Sequence, residues 1–404
     1  MHGNINMTCI FLSRGVIVDK LFFIDKDTIG ILSGQQIDTL ESQYLLKYRK
    51  NALDIMKKHE WKTQGINAAF RQEIRHDTEL DDIRGKINGI TLVQGGTSLL
   101  YSVSVENFSG LFVKNIDYAK DPEVHIMHGD KVAFYGMDSH EETGEIILSV
   151  GETPYEKNLA LLDMDNSRYR LVTEGETQDN NPTWSKTQKR TVFYDSAGIG
   201  RDYHGNFAGI GPKSINKLDL DRCTVDEAIV LPGYDCFRPQ TDKYNNLYFI
   251  KKPYQTGKQK NMTFGEFMAI PFKVLKAIAR AIEFFTVRHT GESFTSKGFN
   301  PAKTKTLDPK EIIINGNIIN AEKTYQENKM SGQPYPGIAP KNWELMCLDS
   351  SGNLRTVKQG VIGYALNKKG QVVYSNGSYI LLIADDGKEE VLQKIDFIDG
   401  LIMA

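Results

Sequence analysis

One repeated pattern constrains the fold of this 404-residue chain more than any other feature: an apolar strand, a polar turn, and a second strand that ends in an aromatic-rich apolar run. A repeated unit buries its apolar faces against neighbouring copies, so such chains form one continuous array. Length alone would suggest about two to three domains. Six copies span 21–32, 90–103, 124–136, 182–195, 237–250 and 362–375, and a shortened seventh, IDFIDGLIMA, spans 395–404.

A second apolar hairpin with an Asp-centred turn follows most copies, as in 159–172, 215–230 and 343–357. Two hairpins per unit make a four-stranded antiparallel sheet, and such sheets arranged around an axis are the blades of a β-propeller. We expect an all-β fold, a seven-bladed propeller over 8–404, closed by N- and C-terminal strands from 9–19 and 395–404. Six blades is the alternative if 40–85, where strand and helix patterns mix, is not blade material.

The stretch 159–197 resembles the repeat of TolB-type, WD-repeat-like propellers. It has an Asp-ended strand, a Thr-x-Gly turn, the run Asn181-Pro182-Thr183-Trp184-Ser185 and an aromatic second strand. The resemblance is fair over 215–250 and 343–392 and weak before 120, and most copies lack the family's Pro-Asp-Gly turn. It implies a propeller with a binding role, because this repeat carries many unrelated activities.

Three consecutive connections between the second and third strands of a blade are expected to be long: 137–158, 196–213 and 253–342. In an antiparallel blade these connections all lie on one face, which we call the capped face. Long loops are usually functional. The largest connection, of about 90 residues, is predicted to contain a helix that begins with a Thr-x-x-Glu capping box at Thr263. We predict that the capped face is the binding surface.

The candidate binding residues form three groups. One lies in the glycine-flanked loop 196–212, a second lies where the innermost strands begin, near the axial mouth, and a third comes from a neighbouring cap loop. They are Arg201, Tyr203, His204, Asn206 and Phe207; Asp179, Asn180, Tyr234, Asp235 and Arg238; and His140.

Charge is balanced overall, with 49 Lys+Arg against 51 Asp+Glu, but it is distributed unevenly. Residues 251–310 carry 12 basic and 4 acidic residues, and residues 138–180 carry 3 basic and 11 acidic. The basic stretch overlaps the predicted amphipathic helix, which favours either packing on the propeller or binding to an anionic membrane surface. Interleaved aromatic residues are too sparse for a nucleic-acid platform, so no nucleic-acid partner is expected.

The sequence contains only weak motifs for metal binding, phosphate binding or catalysis. His125 and His128 lie three apart on a predicted strand, where they would point to opposite faces. Asp163–Asn166 and Asp219–Asp221 coincide with repeat turns, where Asp is favoured. The loop AGIGPKS at 208–214 has Pro212 where a phosphate-binding loop needs Gly. No G-x-S-x-G elbow occurs. We therefore expect no metal and no cofactor.

The leading hypothesis is a non-catalytic interaction scaffold that binds a protein or peptide partner on the capped face. The first alternative is a carbohydrate-active lyase or hydrolase in the axial pocket, with His140, His204, Arg201 and Arg238 as candidates. The second is a membrane-surface module that uses the basic helix. Four scattered cysteines predict free thiols. With no signal-like or spanning segment expected, we predict a monomeric, cytoplasmic protein.

Overall fold

The computed structural model describes residues 20–63, 85–255 and 311–403, apart from 26, 35, 106–107, 119–120, 154, 206, 315–316, 396–397 and 399. Most of these residues lie in six antiparallel sheets, each with a main path of four strands. The innermost strands of successive sheets face one another around a common axis. The described chain is therefore a β-propeller.

Blades 1 to 3 are given with the innermost strand first. Blade 1 contains β27 (Leu401–Met403), β1 (Leu21–Asp25), β2 (Thr28–Ser33) and β3 (Gln36–Glu41). Blade 2 contains β4 (Lys86–Val93), β5 (Ser98–Val105), β6 (Phe108–Asn115) and β7 (Val124–Gly129). Blade 3 contains β8 (Ala133–Ser139), β9 (Ile146–Gly151), β10 (Asn158–Asp163) and β11 (Arg168–Leu171).

Blades 4 to 6 follow the same order. Blade 4 contains β12 (Thr177–Trp184), β13 (Thr191–Arg201), β15 (Ser214–Asp219) and β16 (Thr224–Ile229), and β14 (Phe207–Ile210) pairs with the end of β13. Blade 5 contains β17 (Tyr234–Thr241), β18 (Leu247–Pro253), β21 (Glu344–Leu348) and β22 (Leu354–Gln359). Blade 6 contains β23 (Gly363–Leu366), β24 (Val372–Ser375), β25 (Tyr379–Ile383) and β26 (Glu389–Lys394).

The burial of each strand follows its place in the blade. Second strands are covered on both faces by neighbouring blades, so they read as near-continuous apolar runs, such as SLLYSVSV in β5. Outermost strands are polar and exposed, such as TVDEAI in β16. This contrast explains why the aromatic second strand of each repeat is the strongest signal in the sequence.

Six apolar clusters fill the six gaps between adjacent blades. In the gap between blades 3 and 4, Trp184 of β12 packs with Ile147 of β9 and Leu218 of β15. In the gap between blades 6 and 1, Val373 of β24 packs with Phe23 of β1. Because every blade is packed on both sides, the ring is closed.

The prediction of seven blades is wrong, and the alternative of six is confirmed. Copies one and seven of the repeat belong to the same blade, because β27 pairs with β1 through Leu21↔Met403 and Phe23↔Leu401. As predicted, an N-terminal and a C-terminal strand pair within one blade and close the ring. The hairpin expected at 9–19 lies outside the described residues. The repeat copy at 124–136 is not a hairpin within one blade, since β7 is the last strand of blade 2 and β8 is the first strand of blade 3.

The ambiguous stretch after β3 begins with a helix, α1 (Gln43–Thr63), whose first turn docks on blade 2 through Leu45 and Tyr44. Glu123 fixes this helix start, because its carboxylate accepts hydrogen bonds from the backbone N–H groups of Gln43 and Tyr44 at 3.0 and 3.1 Å. A negative group at a helix N-terminus stabilises the helix.

Two of the three predicted long connections join second and third strands on the capped face: the segment between β13 and β15, and the segment between β18 and β21. The third is wrong, because 137–158 contains β9 and leaves only a short link before β10. The described part of the largest connection forms a hairpin, β19 (Glu311–Ile314) and β20 (Asn317–Asn320), then helix α2 (Ala321–Met330). The helix predicted at Thr263 lies outside the described residues.

The remaining sequence expectations concern cysteines and membranes. Among the described residues Cys223, Cys236 and Cys347 are free thiols, and Cys9 is outside this part of the chain. Within the same part of the chain, the helices are too short or too polar to span a bilayer.

Candidate functional site

Four consecutive innermost strands, in blades 2 to 5, carry a β-bulge, which lies in the first half of β4 and β8 and in the second half of β12 and β17. A bulge bends its strand and re-aims the side chain that falls in it. We call the part of the channel at these bulges and on their capped-face side the axial mouth. The residues in the four bulges are Asn88 in β4, Tyr135 and Gly136 in β8, Asn181 and Pro182 in β12, and Arg238 and Pro239 in β17.

Neighbouring bulges touch through their backbones. A Cβ atom added to Gly89 would lie 2.2 Å from the carbonyl oxygen of Tyr135, and one added to Gly136 would lie 3.2 Å from the Cα atom of Asn181. Asn181 and Arg238 adopt left-handed φ values of 47° and 55°. This close approach fixes the geometry of the mouth between blades 2 and 4.

A buried carboxylate, that of Asp195 on β13, organises one side of the mouth. The side chain is fully buried, and it accepts hydrogen bonds from Asn181 Nδ2 at 2.7 Å and from the backbone N–H of Arg238 at 3.1 Å. Its second oxygen pairs with Lys213 Nζ at 2.8 Å. Asp195 therefore joins three segments of the mouth and has its charge compensated.

A second buried pair lies further along blade 5. Lys252 Nζ is 3.5 Å from Asp235 Oδ2 and donates to Asn317 Oδ1 of β20 at 2.7 Å. The rings of Trp343 and Phe237 face the ammonium group at 5.3 and 5.4 Å. Burial lowers the pKa of Lys252 to about 8, although Asp235 opposes the shift. This pair anchors the largest connection to the propeller.

A third lysine, Lys157, lies on the same face, in the link between β9 and β10 of blade 3. Its backbone is fixed to β12, because its N–H donates to Thr177 O at 2.9 Å and its carbonyl accepts from the N–H of Asp179 at 2.8 Å. Its Nζ lies 3.7 Å from the centroid of the Tyr135 ring. Burial, with repulsion from Lys213 and Lys86, lowers the pKa of Lys157 to about 7.

Two predicted mouth residues, Asp179 and Asn180, are instead buried between blades 3 and 4, with 3% and 9% exposure. Asp179 accepts hydrogen bonds from the hydroxyls of Ser196 at 2.6 Å and Thr173 at 2.7 Å. Burial raises the pKa of its carboxyl, and the two hydroxyls oppose the shift. These contacts hold neighbouring strands together.

The loop predicted at 196–212 is a projecting hairpin, formed by the end of β13 and by β14, which we call the arm. Arg201 holds the arm next to its turn, because its guanidinium pairs with Glu176 at 2.5 Å and Glu156 at 2.6 Å. Phe207 stacks on Tyr155 with ring centroids 4.3 Å apart. Asn206 lies outside the described residues.

The tip of the arm exposes two aromatic side chains. Tyr203 is 91% exposed, and its ring centroid lies 3.6 Å from that of His204. Tyr234 stands at the start of β17, also exposed, with Lys251 Nζ 5.0 Å from its ring centroid. The arm therefore presents an exposed aromatic tip beside the mouth, and contacts on both sides of the turn hold that tip in place.

Two other candidates contribute differently from one another. Arg238 is at the mouth, where its backbone N–H binds Asp195, its Nη1 lies 3.5 Å from Ile362 O, and its carbonyl accepts from the Tyr364 hydroxyl at 2.7 Å. His140 follows the last residue of β8, on the opposite face of the ring. Its ring packs edge-on against Trp184. The structure thus separates His140 from His204 and Arg201.

The expectation that His125 and His128 point to opposite faces is wrong. A register shift in β7 opposite Leu111 and Phe112 inserts one extra residue between them. Their ring centroids are consequently 5.1 Å apart, beside Phe112 and Phe108. Burial and the nearby His128 lower the pKa of His125. Throughout the described ranges, no group of three or more His, Cys, Asp or Glu residues could hold a metal ion.

Sequence reasoning missed Asp195, Lys157, Lys252 and Tyr135 as mouth residues. One signal was present: Pro182 and Pro239 each interrupt a predicted strand, and proline inside a sheet marks an edge or a bulge. The run VFYD also places an Asp inside a strand otherwise buried on both faces.

No protein-family model and no curated protein matches the sequence. Among solved structures, TolB from Acinetobacter baumannii superposes with a TM-score of 0.51 at 9% identity, over 96% of this chain and 67% of that chain. The chain has the fold of a TolB-type β-propeller. Two weaker matches to this TolB-type propeller are also found. A chain of a nidogen/laminin complex superposes with a TM-score of 0.47 at 9% identity, over 95% of this chain and 98% of that chain. A putative TolB from Agrobacterium tumefaciens superposes with a TM-score of 0.43 at 11% identity, over 78% of this chain and 83% of that chain. At such low identity, the likeness concerns the fold alone.

Proposed function

We propose that this protein is a non-catalytic propeller that binds a protein or peptide partner on its capped face. One observation carries the proposal: the arm presents Tyr203 and His204 to solvent, beside the axial mouth, in a turn whose flanking residues, Arg201 and Phe207, are held by two ion pairs and an aromatic stack. Exposed tyrosines on a rigid support supply contact area at low entropic cost, and tyrosine is enriched in binding hot spots.

The surroundings of the arm support the same function. The two long connections, from blades 4 and 5, both rise on the capped face, and Lys252 with Asn317 fixes the second of them to the ring. Together they extend the surface beside the mouth beyond what the short turns of a simple propeller provide. A partner would contact the arm, the connection and the mouth together.

The carbohydrate-active alternative is not favoured by the geometry. Its four candidate residues are not brought together, because His140 lies on the opposite face and Arg201 is committed to Glu156 and Glu176. The carboxylates of Asp195 and Asp179 are satisfied by donors from neighbouring segments. A general acid or base needs a free position within reach of a substrate. The basic helix of the membrane alternative lies outside the described residues.

The experiment is site-specific photocrosslinking in cells that express the full chain. A photoreactive residue at position 203 is expected to give a discrete covalent adduct with a partner, identified by mass spectrometry. Position 244 is the matched control, since Tyr244 is also an exposed tyrosine, at 63%, but lies in a turn on the opposite face.

A partner identified at position 203 is then tested with purified proteins. Replacement of 256–338 by a short linker, and separately Tyr203→Ser, should each weaken binding, whereas Tyr244→Ser should not. Equal adducts from both positions, or unchanged binding by the variants, would show that the partner does not use the capped face. Binding to anionic vesicles that weakens with salt would favour the membrane alternative instead.

A further inference from the structure

Lys157 differs in its contacts from the other buried or partly buried lysines on the capped side of the ring. Lys213 pairs with Asp195, Lys252 pairs with Asp235, and Lys251 pairs with Glu344. Within the described part of the chain, Lys157 Nζ has no carboxylate partner, and its one described side-chain contact is the face of the Tyr135 ring at 3.7 Å. A partly buried amine without a counter-ion costs free energy in its charged form.

The charged and titratable groups around Lys157 come from five other segments and from the neighbouring Glu156. Lys86 on β4 and Lys213 before β15 repel a positive charge there, and Asp195 on β13 attracts it. The Asp195 carboxylate is already bound to Lys213, Asn181 and a backbone N–H. The Asp179 carboxylate accepts hydrogen bonds from two hydroxyls, and the neighbouring Glu156 pairs with Arg201. Burial raises the pKa of the Tyr135 hydroxyl. Positive charge around Lys157 is therefore in excess.

The same network contains a second donor without an acceptor. Asn317 is 6% exposed, its Oδ1 accepts from Lys252, and its Nδ2 finds no hydrogen-bond partner among the described residues. Buried donors are normally satisfied. Lys252 in turn interacts electrostatically with Lys213 and Asp195, which also act on Lys157. Hydrogen-bond donors therefore also exceed acceptors on the blade 5 side of the mouth, as they do at Lys157.

We propose that the axial mouth binds a small oxyanion, a carboxylate or a tetrahedral phosphate-like group, on the Lys157 ammonium, with Lys86 and Lys213 as flanking charges. The site does not depend on the partner proposed for the arm. Because the free amine is largely neutral above pH 7, an anion that binds the ammonium form draws a proton onto Lys157. Binding is thus coupled to proton uptake.

The test uses two probes whose charge is constant between pH 6 and pH 8, sulfate for the tetrahedral class and oxalate for the carboxylate class. Titration calorimetry of the full chain is run at both pH values, with ionic strength fixed by sodium chloride. The charged fraction of an amine with a pKa of about 7 falls from about 0.9 to about 0.1 over this interval, so affinity should fall about tenfold. Two buffers of different ionisation enthalpy measure the proton uptake at pH 8, expected to approach one.

Two substitutions at one position separate charge from titration. Lys157→Met should lower affinity at pH 6 by at least about tenfold, because it removes the central charge. Lys157→Arg should keep binding and abolish its pH dependence, since the guanidinium stays charged. Lys369→Met, in an exposed turn on the opposite face, is the control and should bind like the wild type.

Binding of either probe with this pH dependence and these variant effects supports the site, and the preferred probe identifies the class of anion. The site does not exist if neither probe binds the wild type, if the affinity is the same at pH 6 and pH 8, or if Lys157→Met binds as tightly as the wild type. Thermal melting of each variant establishes that it is folded. Loss of partner crosslinking at Tyr203 would leave this result unaffected.

Discussion

Aspartates on the two faces of the ring make different kinds of contact. On the face opposite the cap, Asp163 closes the turn between β10 and β11 by accepting from the N–H and side-chain amide of Asn166, three residues away. At the axial mouth, Asp195 binds Asn181, Lys213 and Arg238, which are 14, 18 and 43 residues away. The first aspartate shapes a turn locally, and the second holds separate strands and blades in place.

The difference shows where this fold concentrates its long-range polar contacts. Turns on the face opposite the cap, including those of Asp219, Asp242 and Asp349, are closed by donors two to four residues from the aspartate. They solve the same local problem in each repeat. The mouth breaks the repeat, because each blade contributes a different side chain there. A surface specific to this protein is expected where the repeat is broken.

The largest effect is expected from Asp195→Ala. Removing this carboxylate leaves Lys213 without its partner and two further donors unsatisfied, so the free energy of unfolding should fall by about 3–5 kcal/mol. Urea denaturation at pH 7 measures the loss. The double variant Asp195→Ala with Lys213→Met should recover part of it. A loss no larger than that of a turn aspartate would remove the distinction between the two ends.

An intermediate effect of opposite sign is expected from Lys157→Met. Replacing an unpaired, partly buried amine by an apolar side chain of similar length should raise the free energy of unfolding at pH 7 by about 1–2 kcal/mol. Denaturation is measured in chloride buffers without multivalent anions. Lys369→Met, which removes an exposed charge, should change little.

The pH dependence gives this prediction its sign. The pKa of Lys157 is lowered from 10.5 to about 7, so between these values the unfolded chain binds more protons than the folded one. Wild-type stability therefore rises with pH in this window relative to the variant. The gain should be constant below pH 7 and vanish near pH 10.5. A gain that grew with pH would contradict the unpaired state of this amine.

The smallest effect is expected from Asp163→Ala. Hydrogen bonds from Asn166 lower the pKa of the Asp163 carboxyl, so its contribution is present above its ordinary pKa and is lost as pH falls through the lowered value. The melting temperature at pH 7 should drop several-fold less than for Asp195→Ala. The difference between the melting temperatures of wild type and Asp163→Ala should shrink as the pH falls through the lowered pKa. Asp163→Asn, which keeps an acceptor, should recover most of the difference.

The sequence predicted the features that depend on local pattern. The apolar second strands, the Asp turns and the two long connections on one face all follow from alternation, turn residues and spacing. The blade count did not, because β27 and β1 are parts of one blade that lie at distant positions in the sequence. The copy at 124–136 looked like a hairpin because β7 and β8 meet at a short turn between blades.

The positions of some candidate residues were predicted, and whether they bind a partner stays a prediction. Arg238 and Asp235 are at the mouth, and Tyr203 and His204 are exposed beside it, as their positions after or before strands suggested. Asp179 and Asn180 also lie near the start of an innermost strand, yet both are buried, because hydroxyl groups of blades 3 and 4 pack against them. Lys157 could not be found, since its significance comes from Lys86 and Lys213, which only the closed ring brings near it.

The joint between β27 and β1 also bears on how the molecule is made. Leu21, Phe22 and Phe23 are synthesised before the five other blades, whereas Leu401 to Met403, which cover the open edge of their strand, are synthesised after them. Until then that strand is an uncovered, strongly apolar edge, the type of surface on which nascent chains aggregate or recruit chaperones. Slow synthesis of the intervening blades lengthens the period of risk.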